Sequence, residues 1–89
     1  MTESIANALT LAGVDPSGGA GVLADVKAMS ACGVYATAVV TALTAQNTQG
    51  VAGIHPVPPD FVRQQLEVLF DDVRVDAVKV GMLASCDII

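Results

Sequence analysis

The chain has 89 residues, room for one domain at most. Hydrophobic residues make up 53% of it, broken up by turn residues, so it is a globular chain and not a disordered one. A formal net charge of −5 with only 4 Lys and Arg excludes a nucleic-acid or anionic-membrane surface, because both need clustered positive charge. Backbone N–H groups could still hold a nucleotide.

Residues 1–6 read as a loose tail, and Met1-Thr2-Glu3-Ser4 lacks the basic start of a signal peptide. The longest apolar stretch, near residues 35–43, is interrupted by Thr37 and Thr41 and is too short to span a bilayer. These features predict a cytoplasmic protein.

Asn7 to Val14 is near-continuously apolar, as expected for a parallel strand covered on both faces. A turn dense in Asp15, Pro16, Ser17, Gly18 and Gly19 follows. Val22, Val26, Met29 and Gly33 then fall at i, i+4, i+7 and i+11, which predicts a helix over residues 19–32 ending at Gly33. Residues 35–43, rich in Val, Thr and Ala, predict the next strand. Residues 44–50 are polar and predict a loop at its carboxyl end, and residues 51–57 a short strand. Pro58-Pro59-Asp60 marks a helix start: proline suits the first turn and Asp60 the positive end of the dipole. Phe61, Val62, Leu66, Leu69, Phe70 and Val73 predict its buried stripe, with Arg63, Gln64, Glu67 and Asp71 facing water. Residues 76–80 predict a further strand, and Ser85 with Asp87 the opening of another helix.

This order gives an α/β pattern built from right-handed crossovers. Three or four parallel strands leave open sheet edges and an uncovered apolar face. The expected reading is one α/β domain of which residues 1–89 are the N-terminal part. The alternative is a small open-sheet domain completed by self-association as a homo-oligomer. Cys32 and Cys86 form no C-x-x-C and predict reduced thiols in or near the core. His55 has no second histidine nearby and predicts a strand-end or loop residue, not a zinc ligand.

The strand–glycine turn–helix unit can bring backbone close to a ligand, and N–H groups there can take an anion or a polar ligand atom. Gly13 and Gly18 have P-loop spacing, but Gly19-Ala20 stand where Lys and Ser/Thr must be, so a P-loop is excluded. Gly19 to Ala24 fits G-x-G-x-x-A. The acid expected at the end of the next strand is missing, however, and that region reads Leu43-Thr44-Ala45-Gln46-Asn47. The third reading is a loop that holds an uncharged substrate. In an open α/β sheet, ligands bind beyond the carboxyl ends of the strands. Three segments converge there: residues 13–21, 44–47 and 81–82.

The run Ala12-Gly13-Val14-Asp15-Pro16-Ser17-Gly18-Gly19-Ala20-Gly21, with Ala24-Asp25-Val26-Lys27 after it, resembles the N-terminal signature of the hydroxymethylpyrimidine/phosphomethylpyrimidine kinases of thiamine biosynthesis. These belong to the ribokinase-like superfamily. The likeness continues through Thr41-Ala42-Leu43-Thr44-Ala45-Gln46-Asn47-Thr48, Pro59-Asp60-Phe61-Val62 and Lys79-Val80-Gly81-Met82-Leu83. Five ordered blocks are more specific than any single glycine motif. Pyridoxal kinases are the nearest relatives with another substrate.

The resemblance implies a ribokinase-like three-layer α/β fold with a mostly parallel sheet, of which this chain is the substrate side. It implies phosphoryl transfer from ATP, with Mg²⁺, to 4-amino-5-hydroxymethyl-2-methylpyrimidine and its monophosphate. The nucleotide-binding and catalytic residues are expected outside this chain. A pyridoxal kinase-like enzyme and a non-catalytic α/β binding module remain the alternatives.

Gln46 is the sharpest candidate substrate residue. Its carboxamide offers an acceptor and two donors, matching the ring nitrogen and exocyclic amine of an aminopyrimidine. On residues alone a loop amide bonded to backbone is the favoured reading, and the resemblance reverses it. By resemblance Asp25 accepts a hydrogen bond from the substrate hydroxyl or amine; on residues alone it is a solvated carboxylate near a helix start. Gly13 would bring backbone close to the ring, and Met82 would pack a polarisable side chain on it. Asp15 is expected to cap its own turn with Ser17. Lys27 and Lys79 are expected to be structural or solvated, without a phosphate role.

Overall fold

A computed structural model describes residues 5–81. The elements run β1 (Asn7–Val14), α1 (Gly21–Ala31), β2 (Tyr35–Asn47), β3 (Gly50–Pro56), α2 (Pro59–Asp72) and β4 (Ala77–Val80). Met82, Cys86 and the helix expected around Ser85 and Asp87 lie outside the described residues.

One four-stranded sheet has the order β3-β2-β1-β4. β1 pairs in parallel with β2 and with β4, and β2 pairs antiparallel with β3. The apolar run of β1 therefore takes an inner position, and Leu9, Thr10 and Ala12 are buried. Right-handed crossovers then require helices on opposite faces, because α1 leads from β1 to β2 and α2 leads back across the sheet to β4. Period 2 along β1 serves both faces. Leu9 packs with Val39 and with Val62 of α2, while Thr10 reaches Asp25 of α1. Chain direction across the sheet reverses at β1, and a crevice is expected outside its carboxyl end.

α1 ends as its sequence requires. Gly33, at φ +77°, follows the last turn. Its N–H donates to Ser30 O at 3.0 Å, and the Val34 N–H to Met29 O at 3.0 Å, the paired bonds of a Schellman cap. α2 starts with Pro59 in its first turn and Asp60 beside it. Its contact stripe is narrower than expected. Val62 is 3% exposed, and Leu66 and Leu69 pack against the same cluster, but Phe61 and Phe70 are about half exposed. The helix rests on the sheet along Val62, Leu66 and Leu69, so both phenylalanines flank that line.

Residues 44–50, expected as a loop, extend β2 and open a hairpin. Asn47 pairs with Gly50, leaving a two-residue loop at Thr48 and Gln49. The Asn47 carboxamide oxygen accepts the Gln49 N–H at 2.8 Å, and Gly50 takes φ +156°. Antiparallel β2–β3 pairing absorbs the backbone of this polar stretch, which local composition could not reveal. Cys32, expected in or near the core, is exposed because it follows the last turn of α1. His55 is exposed near the end of β3.

Candidate functional site

A cavity of about 390 Å³ opens at the carboxyl end of β1, where the fold predicts a crevice. Its wall brings together Gly13, Val14, Asp15, Ala20 and Gly21 of the first turn with Ala42 and Thr44 of β2, and Lys79 and Gly81 after them. Each of the three segments expected to converge contributes here, through residues of the 13–21 turn, Thr44 and Gly81, while residue 82 lies outside the described residues. Val51 and Ile54 of β3 add apolar wall, and Asp25 of α1 closes one side.

Close packing sets the turn. A Cβ on Gly21 would lie 2.3 Å from the Gly13 carbonyl oxygen, so only glycine lets the chain double back against β1. At the far end the Gly81 N–H donates to Leu11 O at 2.8 Å, and a Cβ there would lie 2.8 Å from that of Ala12.

Asp15 caps its own turn, as its neighbour Ser17 suggested. The Ser17 hydroxyl and N–H donate to its Oδ1 at 2.6 and 2.9 Å. These bonds, with backbone N–H donors from Gly19 and Ala20, hold the Asp15 carboxyl below the ordinary carboxylate range. The glycine turn is therefore a nest already filled by an internal carboxylate. A phosphate there would meet Asp15's negative charge and find these N–H donors already engaged. Asp15 thus takes up the Ser17, Gly19 and Ala20 N–H groups of the turn, which precede the first residues of α1.

Asp25 is 9% exposed and both its oxygens are engaged. Lys79 Nζ donates to Oδ1, and Thr10 Oγ1 donates to Oδ2 at 2.6 Å. Lys79 first, then Thr10, hold its carboxyl below the ordinary range. Lys79 is thus structural in its contact with Asp25 and lines the cavity as well, a placement that no local motif signalled.

Thr44 and Gln46 stand on the cavity side of β2. Thr44 Oγ1 lies 2.7 Å from Val14 O and 3.0 Å from the Gln46 side-chain oxygen. A hydroxyl has one proton, and the carbonyl can only accept, so Val14 takes it. The second contact is satisfied when the carboxamide is turned to donate an N–H to Thr44. That orientation leaves Gln46 one acceptor and one donor. Gln46 lies beyond Thr44 and outside the cavity lining, whereas Gly13 and Asp25 belong to the lining. Met82 lies outside the described residues.

Among the described residues no group of three or more His, Cys, Asp or Glu could hold a metal ion. Both carboxylates of the cavity lining, Asp15 and Asp25, are satisfied by groups of the chain itself. No helix among them is long and apolar enough to cross a membrane.

The phosphomethylpyrimidine kinase family model matches residues 15–89. The hydroxymethylpyrimidine/phosphomethylpyrimidine kinase of Escherichia coli K12 is 58% identical over 83 residues, covering 93% of this chain and 31% of that protein. The solved phosphomethylpyrimidine kinase of Clostridium difficile 630 superposes with a TM-score of 0.89 at 46% identity, covering 93% of this chain and 36% of that one. The pyridoxal kinase of Staphylococcus aureus in complex with AMP-PCP and pyridoxal superposes with a TM-score of 0.85 at 32% identity, covering 97% of this chain and 32% of that one. The chain spans about a third of the length of the hydroxymethylpyrimidine/phosphomethylpyrimidine kinases it matches, and 11–16% of the bifunctional and multifunctional thiamine-biosynthesis proteins it matches. With a family model covering most of its length and an α/β fold shared with these kinases, the chain belongs to the phosphomethylpyrimidine kinase family.

Proposed function

We propose that this chain is the substrate side of a single ribokinase-like kinase domain that phosphorylates 4-amino-5-hydroxymethyl-2-methylpyrimidine and its monophosphate from ATP and Mg²⁺ in thiamine biosynthesis. The observation that carries the reading is the cavity at the carboxyl end of β1. It is large enough for a small heterocycle, walled by apolar side chains and backbone, and edged by a few polar groups. Gly13 lets backbone approach the ring. Gln46 supplies an acceptor and a donor to the aminopyrimidine edge. Asp25 accepts from the hydroxymethyl or amino group, and Met82 packs on the ring. The nucleotide and the catalytic base belong to residues outside this chain, so phosphoryl transfer itself requires more than the half-site.

Calorimetry of the 89-residue chain with the aminopyrimidine tests this. Binding without ATP turnover is expected. Gln46→Ala should weaken binding about tenfold or more, and Thr44→Val less, since it removes the bond to Val14 O and frees the carboxamide to rotate without removing it. An affinity unmoved by Gln46→Ala would remove Gln46 from the site, and turnover by the chain alone would overturn the half-site assignment.

The second reading is a pyridoxal kinase-like enzyme, favoured by the close superposition on the Staphylococcus aureus enzyme. Competition between pyridoxal and the aminopyrimidine for the same cavity separates the two. A non-catalytic binding module predicts that neither is phosphorylated even when the chain is joined to the remaining length of its relatives.

A further inference from the structure

Lys79 is the lone cation among the described residues that line the cavity, and of the two carboxylates in that lining, Asp15 and Asp25, it contacts Asp25. Its position follows from sheet register. Thr10 and Lys79 are partners in the parallel pair of β1 and β4, so their side chains stand side by side on the face beneath α1. Asp25 on α1 spans both, one oxygen to each. The Asp25 side chain is 11% exposed and that of Lys79 57% exposed. The carboxylate is thus sunk in the wall, with the ammonium reaching it from the open side.

A buried carboxylate facing a small cavity without a partner would favour a cationic ligand, since removal from water strengthens its attraction for opposite charge. Pairing it with an ammonium removes that bias and leaves a polar but neutral acceptor. We propose that Lys79 sets the charge selectivity of the cavity, neutralising Asp25 so that an uncharged heterocycle is admitted over a cationic one. The identity of the heterocycle rests on the function proposed above. In this arrangement Asp25 is a fixed acceptor and not a proton-abstracting base, and Lys79 is a positioning residue that acts through it. Asp15 does not substitute for Asp25, because its carboxylate is turned onto its own loop.

The test compares 4-amino-5-hydroxymethyl-2-methylpyrimidine with its permanently cationic N-methyl derivative. Affinities are measured by calorimetry at pH 8 on the 89-residue chain, Lys79→Met and Lys79→Arg. The parent chain should prefer the neutral compound. Lys79→Met should move the affinity ratio at least tenfold toward the cation, and Lys79→Arg should keep the parent ratio. A ratio does not depend on how much of a variant is folded, and any steric penalty of the added methyl is common to all three proteins. An unchanged ratio in Lys79→Met overturns the proposal. If the parent chain binds neither compound, the proposed function fails. The role of Lys79 is then decided by the Asp25 side-chain carboxyl titration followed by carbon NMR. A midpoint raised by Lys79→Met upholds it, and an unmoved midpoint overturns it.

Discussion

A methyl group added at Gly21 would collide with the Gly13 carbonyl oxygen, and the backbone there has φ +63°. At Gly33 the φ is similar, +77°, but an added Cβ meets nothing within 4 Å. The two positions separate conformational strain from steric exclusion. Gly33→Ala should cost about 1 kcal/mol, the ordinary penalty of the left-handed region. Gly21→Ala should cost about 3 kcal/mol or more, because strain and overlap add. Urea denaturation of both variants checks this; equal losses would mean that the turn can shift away from β1. The Thr44–Gln46 contact shows another residue-scale effect. Single-proton bookkeeping at one hydroxyl fixes which way a neighbouring amide faces.

α2 does more than cover Leu9 and Val39. Between residues 35 and 41, β2 has β1 on one side and, among the described residues, no strand on the other, since β3 pairs only from Ala42 onward. Gln65 reaches this open edge. Its Oε1 accepts the Val40 N–H at 3.0 Å and its Nε2 donates to Val40 O at 2.9 Å, as a neighbouring strand would. An unpaired strand edge is a template for association, and a carboxamide with one donor and one acceptor blunts it. Gln65→Ala should destabilise the chain by about 1–2 kcal/mol and increase self-association, read by urea denaturation and light scattering. No change in either would show that water serves the Val40 edge equally well. Amphipathic periodicity identified α2 and its Val62–Leu66–Leu69 line. It did not identify Gln65, because a polar residue beside an apolar stripe reads as solvated until the strand edge beneath it is known.

For the molecule as a whole, Asp15 holds the first turn together and Asp25 ties α1 to the sheet, and both carboxylates have folded values below the ordinary range. A group of this kind contributes stability that is present above its unfolded value, near pH 4, and lost as pH falls through its lower folded value. Stability should therefore be level from neutral pH down to about 5 and decline below 4. Asp25→Asn should lower stability at pH 7, by uncoupling Lys79 and Thr10, and make the acid decline shallower. Denaturant midpoints at pH 7, 4 and 3 measure both effects. An acid decline as steep in Asp25→Asn as in the parent chain would exclude Asp25 as a contributor.

Legible in the sequence were the α/β class, a β1 covered on both faces, helices α1 and α2, and the meeting of the first turn, Thr44 and Gly81 at one end of the sheet. Those features rest on local periodicity, capping residues and the handedness of crossovers, all carried by neighbouring residues. The tertiary structure decided the β2–β3 hairpin, the filling of the glycine turn by Asp15, the Gln65 edge contact and the pairing of Lys79 with Asp25. Each of these joins groups through strand register or a folded-back loop, and Lys79 and Asp25 stand 54 positions apart. Local pattern cannot express which residues come to face one another, because that is fixed only when the sheet closes around β1.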